Sequence, residues 1–162
     1  MQRELVRDHL TGISFGGGLG YQLAYENPTR FAAFVPISSV YSDAGITSNP
    51  SAAPGSSYPL VAQRLKAIAV WVHEGFLDPV MGAARGIVSA LQAAGGNVRY
   101  TEYPGIGHDS SIWDDVYASA DFYTCSTRSI ADPFTPWWSE GRDRECRPFV
   151  RLALATELLV SF

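Results

Sequence analysis

Cysteine is nearly absent: Cys125 and Cys146 are the only two in 162 residues. Two are too few for a disulfide framework, and their spacing fits no zinc site. They either close one loop of about twenty residues, worth roughly 3 kcal/mol in oxidising surroundings, or stand as two unrelated thiols. A run of positive charge is also missing. Twelve Lys and Arg are scattered against sixteen Asp and Glu, for a net charge of -4, which leaves no basic stripe for a nucleic-acid backbone. No apolar stretch approaches the roughly 20 residues needed to span a bilayer. The first eight residues, Met1-Gln2-Arg3-Glu4-Leu5-Val6-Arg7-Asp8, are too polar for a signal peptide, so the chain reads as soluble, with its compartment open. Internal repeats are lacking as well.

What is present is a hydrophobic share of 46%, enough for the core of one domain. The most telling stretch is residues 10–20, which contains Gly12-Ile13-Ser14-Phe15-Gly16. This is the G-x-S-x-G pattern of a nucleophile elbow, a serine held in a strained turn between a strand and a helix. Such a turn needs small neighbours two positions to either side, and Gly12 and Gly16 provide them. A serine at a helix start also lies beside free backbone N–H groups, which suit a developing oxyanion. Glycine and serine are common, so the pattern depends on its surroundings. Leu10-Thr11-Gly12-Ile13 reads as a buried strand, and Leu19, Leu23 and Ala24 recur at helical spacing until Asn27-Pro28 stops the helix.

Along the rest of the chain, residues 1–8 read as the end of a helix and residues 9–13 as the first strand. A second strand is expected over residues 31–37, followed by a Ser-, Pro-, Gly- and Ala-rich loop over 38–59 that hangs above the end of the sheet. Ile68-Ala69-Val70-Trp71-Val72 is apolar throughout, as suits a strand covered on both faces. Val80, Ala84, Ile87, Val88 and Leu91 mark one helix face, ended by Gly95-Gly96. A fourth strand at residues 98–103 and a helix at about 111–124 complete an α/β class with a mostly parallel sheet and helices on both faces. Ligands of such sheets bind at the carboxyl ends of the strands. Residues 1–125 form the expected core. Residues 126–162 change texture, with Pro133, Pro136 and Trp137-Trp138 and then a last apolar helix near residues 150–159. That tail reads as a lid or as a helix packed on the core.

A serine hydroxyl needs a base, and the base an orienting carboxylate. Asp78 follows the third strand and His108 follows the fourth, so each would reach the rim that carries Ser14. Both have plainer readings. Asp78 before Pro79 suits a helix N-cap, and His108 suits a surface loop. His9 and His73 lie in or beside strands and read as structural. Asp43, Asp109, Asp114 and Asp115 are rival carboxylates, none of which follows the third strand.

The segments around these residues carry a resemblance. Leu-Thr-Gly-Ile-Ser-Phe-Gly-Gly and Asn-Pro-Thr-Arg-Phe-Ala-Ala-Phe-Val-Pro-Ile-Ser, with the stretches 70–80 and 96–109, resemble α/β-hydrolase esterases of the phospholipase/carboxylesterase and polyhydroxybutyrate-depolymerase-like (feruloyl esterase) group. The order Ser, Asp, His is that of the same superfamily. The likeness spans about residues 5–124. It implies Ser14 as nucleophile, His108 as general base and then acid, Asp78 as the group holding the imidazole, and the Phe15 backbone N–H in the oxyanion hole. Three departures stand out. The group has further strands before the elbow and a His-Gly-rich loop that supplies a second oxyanion donor. Glu74 stands where relatives often have histidine. Nothing beyond Cys125 resembles the group.

The chain thus reads as the C-terminal half of an α/β-hydrolase with a tail foreign to the family. Its implied activity is hydrolysis of short acyl or aryl esters, without metal or cofactor. The other readings are a silent fragment acting as a binding or assembly module, and a peptidase on the same scaffold. One oxyanion donor fewer implies a slow enzyme. An elbow strand without its usual neighbour leaves an exposed sheet edge, hence a homodimer.

Overall fold

The computed structural model describes residues 7–47, 49, 51–120 and 122, and the backbone of 152–154. Four parallel strands form the body of the sheet: β1 (Asp8–Ile13), β2 (Phe31–Ile37), β3 (Ala69–Gly75) and β4 (Val98–Tyr103). A short β5 (Leu152–Leu154) lies parallel to β1, giving the order β4-β3-β2-β1-β5. Helices connect the strands: α1 (Phe15–Glu26), α2 (Asp43–Thr47) with α3 (Tyr58–Leu65), and α4 (Met81–Ala93). The last, α5 (Ser110–Ala118), follows β4.

Every residue of β2 and β3 is buried, because helices cover both faces of the sheet. Alternate side chains go to alternate faces. Phe34, Val70 and Val72 pack with Tyr21 of α1, Leu65 of α3 and Ile87 and Leu91 of α4. Val35, Ile37 and Trp71 point the other way, onto Ile112 and Val116 of α5. On the first face Tyr21 meets Phe34 edge-on, at 4.9 Å between ring centroids. The buried side of α4 is Ala84, Ile87, Val88 and Leu91, while Val80, the first residue of the expected face, is the half-buried N-cap. Its end is a Schellman turn: Gly95 has φ +74, its N–H donates to the Gln92 carbonyl, and the Gly96 N–H donates to the Leu91 carbonyl at 2.8 Å.

Four expectations change. The stretch 38–59 holds a short helix and the start of α3, because Pro59 lies in the first turn of α3, where no helical N–H is needed. The final helix expected near residues 150–159 gives way to strand at Leu152–Leu154. That strand also occupies the edge expected to be open, with His9, Leu10 and Thr11 opposite Leu152, Ala153 and Leu154. The cause is a returning segment of the same chain, which pairs with three of the six residues of β1. Helix α5 ends earlier than expected, with Ser119 extended at its C-cap. Cys125, Cys146 and Trp137-Trp138 lie outside the described residues. Among the described residues no helix is long and apolar enough to cross a membrane.

Candidate active site

The site forms where β1, β3 and β4 end on the same side of the parallel sheet. Ser14 immediately follows β1 with φ 51 and ψ -121, a conformation side chains rarely adopt. Its N–H donates to the Ile37 carbonyl at the end of β2 (2.9 Å), and the first bond of α1 runs from the Gly18 N–H to the Ser14 carbonyl. The reversal is tight enough that a Cβ on Gly12 would lie 2.5 Å from the Gly16 carbonyl. The glycine spacing read from the sequence therefore has a steric cause. The Phe15 N–H opens α1 and has no intrahelical acceptor, while the Phe15 ring is 80% exposed.

After β3 the chain turns at Gly75-Phe76-Leu77-Asp78, closed by a bond from the Asp78 N–H to the Gly75 carbonyl. The loop after β4 lies directly across this turn. The Leu77 N–H donates to the Ile106 carbonyl (2.8 Å), and a Cβ on Gly75 would strike the carbonyls of Ile106 and Gly107. Glycine at 75 thus sets how near His108 comes to Asp78. His108 Nδ1 lies 2.6 Å from Asp78 Oδ2, and His108 Nε2 lies 2.8 Å from Ser14 Oγ. Asp78 also accepts the Val80 N–H at Oδ1 (2.9 Å), so it braces the approach to α4 while it holds the imidazole. Burial by itself would raise the Asp78 carboxyl, but hydrogen bonds from the Val80 N–H and His108 hold it below the usual carboxylate range. An ionised Asp78 only accepts, so the imidazole proton sits on Nδ1. Nε2 then offers its lone pair to the Ser14 hydroxyl, which donates.

The remaining candidates are placed elsewhere. His73 is buried, with Nδ1 2.9 Å from the Tyr103 hydroxyl, and burial together with Arg99 drives it down to about 3. It is neutral and structural. Asp109 caps α5 by accepting the Ser111 N–H. Asp43 accepts from the Gly55 and Ser57 N–H groups and the Ser57 hydroxyl, fastening the loop before α3. Asp114 and Asp115 are exposed on α5. Two features escaped the sequence reading. Ser38, at the end of β2, also has positive φ (46) and is buried. Glu74 is fully buried against Asp78. Position 74 stood out only as a departure from histidine, and nothing in its spacing marks it as buried.

No family model and no curated protein matches the chain. Solved structures do. A thermostable esterase matches with a TM-score of 0.54 and 28% identity, covering 70% of this chain and 28% of that one. The substrate-bound fluorophosphonate-binding serine hydrolase F of Staphylococcus aureus gives 0.57 and 20%, covering 82% of this chain and 57% of that one. A ferulic acid esterase gives 0.50 and 19%, covering 67% and 47%. The chain has an α/β-hydrolase fold. It spans between about a quarter and three fifths of the length of these hydrolases.

Proposed function

We propose that the chain is a serine carboxylic-ester hydrolase acting through an acyl-enzyme. The observation that supports this most is the unbroken series Ser14 Oγ, His108 Nε2, His108 Nδ1, Asp78 Oδ2, with spacings of 2.8 and 2.6 Å across the site. Ser14 passes its proton to His108 Nε2 while Oγ bonds to the ester carbonyl carbon. The carbonyl oxygen takes up the negative charge, which the Phe15 N–H and the start of α1 stabilise. When this intermediate collapses, the carbon–oxygen ester bond breaks and the proton on Nε2 goes to the departing alkoxide. Water then gives a proton to Nε2 and bonds to the acyl carbon. The acid leaves as the proton returns to Ser14 Oγ. Asp78 keeps the imidazole in the required tautomer and stabilises its charged form.

Short acyl or aryl esters are the proposed substrates. The site is open, with the His108 side chain 39% exposed, and the ferulic acid esterase likeness supports an aromatic acyl group. Hydrolysis of p-nitrophenyl acetate and of a feruloyl ester by the wild type and by Ser14→Ala tests the reading. Activity in the wild type that Ser14→Ala lacks is expected. Equal rates for the two proteins would leave a silent module in its place, and cleavage of an anilide in preference to the ester would make it a peptidase.

A further inference from the structure

Near Asp78 lies a second carboxyl group that the mechanism above does not use. Glu74 is the penultimate residue of β3, on the face that carries Val70 and Val72, and it is 0% exposed. Its Oε1 accepts the N–H of Gly75 (3.2 Å). No donor reaches Oε2. The turn closed by the Asp78 N–H on the Gly75 carbonyl (3.1 Å) brings a second buried carboxyl, that of Asp78, beside it. The other titratable groups around it are the phenols of Tyr21 from α1 and Tyr100 from β4.

Two carboxylates enclosed together cannot both be ionised. Asp78 has the claims to the charge, with the Val80 N–H on one oxygen and His108 on the other. Glu74 has no cation against it in that series, and an acceptor-only Oε2 would be an unsatisfied buried atom. A proton on Glu74 resolves both problems at once, since it supplies the donor that Asp78 faces.

We propose that Glu74 is a positioning residue, a neutral carboxylic acid that donates a hydrogen bond to the Asp78 carboxylate and so fixes it for His108. The proposal rests on the reading of Ser14, His108 and Asp78 as the reacting series. Burial, and next the Asp78 carboxyl, push Glu74 up to about 8, against the opposing Gly75 N–H. Above that pH Glu74 ionises, the two carboxylates repel, and the hold on Asp78 is lost.

Two measurements test this. The first needs no turnover: the side-chain carboxyl carbon of Glu74 is followed by NMR against pH in Ser14→Ala, with Glu74→Gln identifying the resonance. Titration near pH 8 is expected, and titration below about pH 5, the ordinary carboxyl range, would overturn the proposal. The second uses p-nitrophenyl acetate. Glu74→Met removes the donor and is expected to lower kcat about tenfold with KM nearly constant, whereas Glu74→Gln restores a donor and recovers all but about threefold. The wild type loses kcat as pH rises through 8, and Glu74→Gln lacks that loss. Equal kcat for Gln and Met, or the same alkaline loss in Glu74→Gln, would also overturn it. Should Glu74→Met fail to fold, the Glu74→Gln profile and the carboxyl titration decide. Should wild type and Ser14→Ala hydrolyse equally, the hydrolase reading falls, while the carboxyl titration still says where the proton is.

Discussion

Gly12→Ala tests whether the turn at Ser14 is as tight as its glycine spacing implies. The added Cβ would lie 2.5 Å from both C and O of Gly16 and 2.7 Å from the Gly17 nitrogen, against 3.4 Å for an ordinary contact. All three atoms are backbone, so no side chain can swing aside. The end of β1 and the first turn of α1 must separate by about 0.9 Å at the closest atoms. Ser14 lies between them, bonded to His108 at 2.8 Å, and a lengthening of that size breaks the bond. Misplacement of about 1 Å costs on the order of 10²-fold in rate, and forced overpacking costs about 1–3 kcal/mol of stability. The expected result is a roughly hundredfold loss of esterase activity with a melting temperature lower by several degrees. Gly82→Ala is the matched control. It lies in α4 with nothing within 4 Å of an added Cβ, so it should stabilise by up to about 1 kcal/mol through helix propensity and leave turnover alone. Initial rates and thermal unfolding of both variants supply the comparison. A Gly12→Ala protein that melts with the wild type and turns over within threefold of it would refute the steric reasoning.

Asp78→Asn keeps the shape but offers an amide to His108 Nδ1, which favours the wrong tautomer; kcat should fall by roughly 10³- to 10⁴-fold, read as initial rates with KM little changed. Burying Glu74 also makes stability depend on pH. The unfolded chain loses this proton near 4.5 and the folded chain near 8, so stability is full below 4.5 and declines as pH rises through that window, by up to about 1.4 kcal/mol per pH unit. Urea unfolding of the wild type at several pH values should show the slope, and Glu74→Gln should flatten it. Asp43→Ala removes the acceptor for the Gly55 and Ser57 N–H groups; a loss of about 1–3 kcal/mol and faster proteolytic cutting before α3 are expected.

Local rules reached far into this fold because its elements carry their own punctuation. The apolar run of β2, the four-residue face of α4 with its glycine stop, and the strand-serine-helix turn are each set by neighbours within a few positions. They failed where a local sign has two meanings. Pro59 marks a turn in most contexts but also fits the first turn of a helix, so the start of α3 was read as the end of a loop. The leucine-rich segment containing Leu152–Leu154 suits a helix on propensity alone, and pairing with β1 decides for strand. Glu74 carries no such sign, because its burial depends on how the turn to Asp78 folds back over β3 and on what α1 and β4 place around it.

The amino-acid order alone therefore determined which groups stand at the ends of β1, β3 and β4, since alternation of strand and helix puts successive strand ends on one rim. Tertiary structure alone decided the distances. The bonds from Ser14 to His108 and from His108 to Asp78 depend on the loop after β4 lying across Gly75, a contact between segments some thirty residues apart. The same enclosure placed two carboxyl groups where only one can be charged, and no sequence pattern encodes the exclusion of water that makes this so.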